Sequence, residues 1–178
     1  MIYCPPMNER MNSMAATSET TSSKARKTAP KKVDSHEIIV VKSGFNGQLV
    51  YISPKTQEKF VWDSFGEEQE MELGELRNAK SSAKAFFANN WFMFDEEYDW
   101  VIDYIGVRQY YENAIRLDEF DDILTGSPDE ITAKVTKMSE GQKQSLAYRA
   151  RQMIADGEID SRKAIIALEN ALGLNFDN

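Results

Sequence analysis

Cysteine and histidine are nearly absent from this sequence, which has one of each among its 178 residues. A single cysteine, Cys4, cannot form an internal disulfide, which favours a reducing compartment. With His36 as the other candidate ligand, no zinc site of several cysteines and histidines can be assembled. A Ser-His-Asp triad would also have to use His36, at the edge of a polar N-terminal arm. Zinc chemistry and triad catalysis are therefore not expected.

Long apolar runs and phosphate-binding glycine loops are missing as well. No stretch approaches the roughly 18 apolar residues of a membrane span, and the apolar Met1–Tyr3 segment ends at Pro5-Pro6, unlike a secretory signal. The glycines within Ser43–Gly47 fit neither the dinucleotide nor the P-loop spacing. The acidic runs lack the spacing of a calcium loop. We therefore expect a protein without a cofactor or metal that is neither membrane-bound nor secreted.

Charge is distributed unevenly along the chain. Six basic and three acidic residues give the first 36 residues a formal charge of +3, so the remainder carries −11 of the total of −8. Residues 11–30 are mostly Ser, Thr, Ala, Lys and Met, with no aromatic residue and no apolar periodicity. Such a segment cannot bury enough surface to fold alone. We expect a disordered basic arm over residues 1–35, which either contacts an acidic surface or nucleic acid or simply keeps the tail soluble.

Strand signals begin after the arm. Residues 37–42 and 48–53 are rich in β-branched and aromatic side chains and flank an Asn-Gly turn, and a second turn at 54–57 precedes a third such run at 58–62. This pattern predicts a three-stranded antiparallel β-meander.

Helical periodicity dominates from Glu67 onward. We predict a helix ending near Ala79, with a strand at residues 70–73 as the alternative, and a short helix carrying Phe86 and Phe87 behind an N-cap at Ser82. Residues 91–94 are apolar enough to add a strand. A helix covers Tyr98 to Ile105 and stops at Gly106, and another covers residues 118–125.

Capping signals define the C-terminal part. Ser127-Pro128-Asp129-Glu130 and Ser139-Glu140-Gly141-Gln142 are capping boxes, and a third helix begins at Asp160 or Ser161. The fold class is therefore α+β: a disordered N-terminal arm, the β-meander and a mostly helical C-terminal half. We divide the chain into the arm at 1–35, the meander with an aromatic and acidic helical segment at 36–126, and a three-helix subdomain at 127–178.

Acidic and aromatic residues crowd together between residues 86 and 111. Glu96, Asp99 and Asp103 lie on one face of the predicted helix, opposite its apolar side, which is typical of a solvated face. A pair of carboxylates beside aromatics could also serve a glycosidase, but this spacing argues against it. Interfaces favour Trp and Tyr, so part of the cluster could contact a partner. The candidate partner surface comprises Glu96, Asp99, Trp100, Asp103, Tyr104, Tyr110 and Tyr111.

The C-terminal helices could also resemble a helix-turn-helix that contacts nucleic acid. The candidate contacts are Lys143, Arg149, Arg151, Arg162 and Lys163. Against this, residues 132–178 hold seven basic and six acidic side chains, whereas a DNA-binding domain normally has a net basic footprint.

Two strings resemble small accessory proteins encoded by tailed bacteriophages. One runs from Ser139-x-Gly141-Gln142-Lys143 through Ala147 to Arg151, with Gly157–Ser161 and Ala167–Glu169; the other is Met71–Lys80 followed by Phe86-Phe87 and Trp91. The resemblance covers most of the chain after Glu37 and implies a viral setting, but carries over no functional residue. The expected function is non-enzymatic protein–protein interaction in a virion or its assembly, located in the virion or the bacterial host cytoplasm. The alternatives are a regulator that binds nucleic acid or a polymerase, and an acidic inhibitor of a basic host protein.

Overall fold

A computed structural model describes residues 33–176 of the chain. The arm expected at residues 1–35 therefore lies almost wholly outside the described residues. The described part confirms the α+β class. Its strands are β1 (Ile38–Ser43), β2 (Leu49–Ile52), β3 (Lys59–Trp62), β4 (Glu68–Glu72) and β5 (Phe92–Met93). Its α-helices are α1 (Leu73–Ser82), α2 (Lys84–Ala88), α3 (Asp99–Ile105), α4 (Phe120–Leu124), α5 (Pro128–Val135), α6 (Glu140–Ala155) and α7 (Arg162–Leu172).

The strands form two antiparallel sheets rather than one meander. The hairpin of β2 and β3 is confirmed, with Tyr51 opposite Phe60. The predicted pairing of β1 with β2 is wrong, because β1 lies between β4 and β5. After β1 the chain does not close a tight Asn-Gly hairpin: the Gly44 N–H donates to the Trp91 carbonyl at 2.8 Å, and the Gly44 carbonyl accepts from the Ser145 hydroxyl at 2.7 Å. These two hydrogen bonds fix the path of the chain after β1, which continues into the second sheet instead of turning back along β1.

Helix boundaries follow local capping chemistry. The capping box of Ser127 and Glu130 is complete and opens α5. Ser139 caps α6, but the second box is incomplete because the Gln142 side chain bonds elsewhere. The N-cap predicted at Ser82 is wrong: its hydroxyl donates to the Asn78 carbonyl within α1, and α2 has no side-chain cap.

Buried side chains gather into two clusters, one per lobe. The N-terminal lobe (residues 33–111) packs both sheets against α1 to α3, around Trp62, Phe87 and Phe92. The C-terminal lobe (residues 112–176) packs α4 to α7, around Leu146 and Leu168. This second cluster includes Phe120, Ile123 and Leu124 of α4, which precede the boundary predicted after residue 126.

The beginning of α6 joins the lobes. Gln142 is 1% exposed; within the C-terminal lobe its side chain accepts from the Ile115 N–H at 3.1 Å and donates to the Ile115 carbonyl at 2.6 Å, and its amide nitrogen lies 3.9 Å from the Met93 sulfur of the N-terminal lobe. Three residues on, Ser145 bonds Gly44 as described above. Gly141 lies so close to Asn89 that a side chain there would collide with the Asn89 carbonyl. We call Gly44, Ile115, Gly141, Gln142 and Ser145 the joint.

Candidate interaction surface

The acidic face predicted on α3 surrounds an arginine. Arg108, on a short 3-10 segment after α3, binds both carboxylate oxygens of Asp99 at 2.7 and 2.8 Å and both of Asp103 at 2.8 Å. Asp103 and then Asp99 raise the pKa of Arg108 above its usual value. Glu96 lies 3.5 Å from Arg116 and is more exposed than either aspartate. Two of the three predicted acids are therefore engaged in holding α3 to the segment that follows it.

The predicted aromatic residues divide between core and surface. Trp100 is 8% exposed and belongs to the first cluster. The Tyr111 hydroxyl donates to the Phe92 carbonyl at 2.6 Å, and burial raises its pKa well above the usual value. Tyr104 is 38% exposed and rests edge-on against Trp100, with ring centroids 6.1 Å apart. Tyr110 is half-buried. Tyr111 is half-buried as well, but its hydroxyl is committed to Phe92, which leaves Tyr104 and Tyr110 as the candidate contact rings.

Three cations outside the predicted partner surface lie beside these rings. Arg77 and Lys80 of α1 and Lys84 of α2 are exposed. The Arg77 guanidinium lies 5.9 Å from the centroid of the Tyr104 ring, and the Lys84 ammonium 5.8 Å from that of Tyr110. Hydrogen bonding to Lys84, and the charges of Lys84 and Lys80, lower the Tyr110 pKa.

Within residues 33–176 none of these three cations forms an ion pair with a carboxylate. We call Arg77, Lys80, Lys84, Tyr104 and Tyr110 the basic–aromatic stripe. Arg77 and Lys80 are three residues apart on α1, which is a visible signal of a common helical face, whereas Lys84 follows the break at Ala83 and belongs to α2. Their ring partners lie more than twenty residues away along the chain, so the combination emerges only on folding.

The cations predicted to touch nucleic acid are largely occupied. Lys143 binds Glu140 at 2.8 Å. Arg149 binds both oxygens of Asp121 at 2.8 and 2.7 Å, which lowers the Asp121 pKa. Arg151 lies over the Phe176 ring at 5.6 Å. Arg162 and Lys163, at the start of α7, are exposed.

Buried polar chemistry in the N-terminal lobe centres on Glu75. This residue is 7% exposed, and its carboxylate accepts from the Tyr51 hydroxyl at 2.6 Å and from the Asn78 amide at 3.2 Å. Burial, and then the bond to Glu75, raise the Tyr51 pKa to about 12. Glu75 thus links α1 to β2. In the described part of the chain, no three His, Cys, Asp or Glu residues are grouped so as to hold a metal ion.

Three comparisons with known proteins found no relative of this chain. No protein-family model, no curated protein and no solved structure matches this chain. Among residues 33–176 no helix is long and apolar enough to cross a membrane. The geometry of the basic–aromatic stripe is therefore the basis on which a function can be proposed.

Proposed function

We propose that this is a non-enzymatic protein that binds another protein through the basic–aromatic stripe. The observation that carries the proposal is Tyr104, whose exposed ring is held between Trp100 and Arg77. Tyr, Trp and Arg are the residue types that dominate binding energy at protein interfaces. A ring already fixed by its neighbours loses little conformational entropy on binding.

The charge of the stripe indicates an acidic partner surface. Arg77, Lys80 and Lys84 form a local positive patch on a chain of formal charge −8. Opposite charge on the partner steers association, while the acidic remainder of the protein repels other acidic surfaces. The carboxylates of Asp99 and Asp103 contribute indirectly, because they hold Arg108 and with it the end of α3 that carries Tyr104.

The setting we propose is a tailed-bacteriophage virion or its assembly, in the particle or the host cytoplasm. The support for this setting is the resemblance of the residues 71–91 and 139–169 strings to phage accessory proteins. A small interaction protein with a basic arm suits such an assembly, in which subunits make several simultaneous contacts.

Co-sedimentation with purified particles, read by mass spectrometry, tests both the setting and the surface. We expect the wild-type chain in the particle fraction and at least a tenfold loss of it in an Arg77→Glu/Lys80→Glu/Lys84→Glu variant. Tyr104→Ala should weaken binding without altering the fold. The matched control, Lys137→Glu/Arg162→Glu/Lys163→Glu, makes the same charge change on exposed residues elsewhere. Equal particle binding by both triple variants would contradict the stripe, and absence of the wild-type chain from particles would contradict the setting.

Single-stranded nucleic acid is a second candidate ligand, because exposed rings beside cations also suit stacked bases and phosphates. The rings of Tyr104 and Tyr110 each already have a cation over one face, which favours a protein partner over base stacking. Fluorescence anisotropy of a labelled oligothymidylate at 50 and 300 mM NaCl separates the two. Tight, salt-sensitive binding that the stripe variant abolishes would favour nucleic acid.

A further inference from the structure

A cleft of about 760 Å³ opens between the two sheets at the point where the described chain begins. Its walls are the hairpin of β2 and β3 on one side and β4 with the first turns of α1 on the other. Ser35 and His36, just before β1, form its rim. Its lining includes Ser35, Glu58, Phe60, Glu70, Glu72 and Glu75.

Both strands that border the cleft are edge strands. Among residues 33–176, β3 pairs only with β2, and β4 only with β1. The two edges are bridged near their far ends, where the Gln69 amide donates to the Val61 carbonyl at 2.8 Å. Beyond that bridge they lie on opposite walls of the cleft.

The outer edges of β3 and β4 carry backbone hydrogen-bonding groups that do not pair within their own sheets. In β3, the bond from Ser53 N–H to the Glu58 carbonyl places the even-numbered residues against β2, so the backbone groups of Lys59 and Val61 face away from it, and the Val61 carbonyl is bonded by Gln69. In β4, the bond from Leu73 N–H to the Glu37 carbonyl places the odd-numbered residues against β1, so those of Glu70 face away from β1. An extended peptide can bind such an edge by strand addition, and Glu70, which lines the cleft, offers the backbone groups for it.

The lining is acidic. Glu58 and Glu70 are exposed and have no ion pair within residues 33–176, while the Glu72 carboxylate lies 3.1 Å from the His36 ring. Glu75 is committed to Tyr51 and Asn78. The lining thus has four carboxylates and, from lysine and arginine, two positive charges, those of Lys55 and Arg77. A ligand of this cleft should therefore be an extended, basic segment.

We propose that the occupant is the Lys24–Lys32 segment of the same chain, which has five positive side chains and no negative one. A turn from Asp34 to Glu37, closed by the Glu37 N–H to Asp34 carbonyl bond at 3.1 Å, sets the chain at the rim, where the Ser35 carbonyl accepts from Gly74. Lys32 is thus three residues from the cleft wall. Nine extended residues span about 30 Å, and a short tether supplies an effective concentration on the order of millimolar.

This inference goes beyond the proposed function, since it concerns the chain's own arm and not the partner of the stripe. Zero-length carbodiimide cross-linking of the full chain at low salt, with peptide mass spectrometry, tests it. We expect monomeric protein with cross-links from Lys27, Lys31 or Lys32 to Glu58 and Glu70. At 0.5 M NaCl their yield should fall several-fold, because salt screens exposed charges.

Charge reversal makes the test specific. Glu58→Lys/Glu70→Lys should reduce the remaining arm cross-links, to Glu72, at least fivefold, whereas Glu112→Lys/Asp160→Lys, the same change at exposed acids elsewhere, should preserve the wild-type pattern. Adding Lys31→Glu/Lys32→Glu to the first variant should restore cross-links between the arm and the cleft. In that variant the carboxylates are on the arm, at positions 31 and 32, and the amines are in the cleft, at positions 58 and 70. Arm cross-links spread evenly over Glu112, Asp160 and the cleft, or found only in dimers, would overturn the proposal.

Discussion

Trp62 and Leu146 anchor the two lobes at the level of single residues. Neither has exposed surface, and the Trp62 indole N–H donates to the Val41 carbonyl at 2.9 Å, which links the second sheet to the first. Removing a buried side chain of this size costs about 3–5 kcal/mol for Trp and 2–5 kcal/mol for Leu. Trp62→Ala and Leu146→Ala should shift urea midpoints accordingly.

Ile166→Ala is the control for these truncations, because Ile166 is 44% exposed and its loss should cost well under 1 kcal/mol. Trp62→Phe separates packing from the hydrogen bond to Val41. A shift worth less than about 1 kcal/mol for either buried truncation would contradict the assigned cores.

The Tyr51 phenol should make the free energy of unfolding depend on pH in the alkaline range. Its folded pKa is about 12, above the ordinary value of 10.0, so the folded state holds the phenolic proton more tightly than the unfolded state. The stabilisation that Tyr51 contributes to the free energy of unfolding is complete below pH 10. It is lost as pH rises through 12, at up to about 1.4 kcal/mol per pH unit. Tyr51→Phe has no proton to lose and should flatten this slope. Urea unfolding at pH 9, 10 and 11 measures it, and parallel slopes for both proteins would count against the assignment.

Helix α3 depends on the pairing of Arg108 with Asp99 and Asp103. Considered alone, carboxylates at helical spacing repel, so their neutralisation should stabilise a helix by a few tenths of a kcal/mol. Because both bind one guanidinium, we expect the opposite: Asp99→Asn/Asp103→Asn should destabilise the protein by about 1 kcal/mol, and less in 1 M NaCl. The control is Glu112→Gln/Asp160→Asn, which removes two charges at exposed positions and should change little. An unchanged or raised midpoint in the aspartate variant would favour the repulsion argument.

Elements whose signals are local could be predicted, and elements set by distant contacts could not. Ser127, Ser161 and Gly173 delimit helices through groups within a few residues, and each does so in the structure. The strand pairing failed because the path after β1 is fixed by contacts of Gly44 with Trp91 and Ser145, which lie 47 and 101 residues away in the sequence.

The candidate surface was only partly predictable for the same reason. Tyr104 and Tyr110 belong to the partner surface that the sequence predicts, and Arg77 and Lys84 do not. The pairing of each ring with its cation requires α1 and α2 to pack beside α3. Gln142 is a further case, because its sequence context indicated a cap whereas its side chain binds Ile115 across 27 residues.

At the scale of the whole molecule, the joint decides whether the lobes unfold as one unit. The lobes have separate apolar clusters, and the Phe65 ring from the first packs on Phe120 of the second with centroids 5.3 Å apart. Besides this contact, Ser145 bonds Gly44 of the first lobe, and Gln142 lies against Met93 of the first lobe while it holds Ile115, near the start of the second lobe, to α6. Loss of these polar contacts should weaken the coupling between the two lobes more than it weakens the packing within either core.

Two spectroscopic probes report on different lobes. The chain's three tryptophans, Trp62, Trp91 and Trp100, all belong to the first cluster or pack against it. The two longest helices, α6 and α7, belong to the C-terminal lobe and contribute strongly to circular dichroism. In the wild-type chain we expect fluorescence and dichroism to follow one cooperative urea transition.

Gln142→Ala/Ser145→Ala should separate the two transitions. The change leaves the partly buried backbone groups of Ile115 and the buried Gly44 carbonyl without their partners, at up to about 1–3 kcal/mol per group, but removes no apolar core residue. We therefore expect the dichroism midpoint to fall below the fluorescence midpoint, since the C-terminal lobe loses its support from the sheets. Gln144→Ala/Gln152→Ala, at exposed positions of the same helix, is the control and should keep coincident curves. If the curves of the joint variant also coincide, merely shifted to lower urea, the lobes cohere through the Phe65–Phe120 contact and the joint is not what couples them.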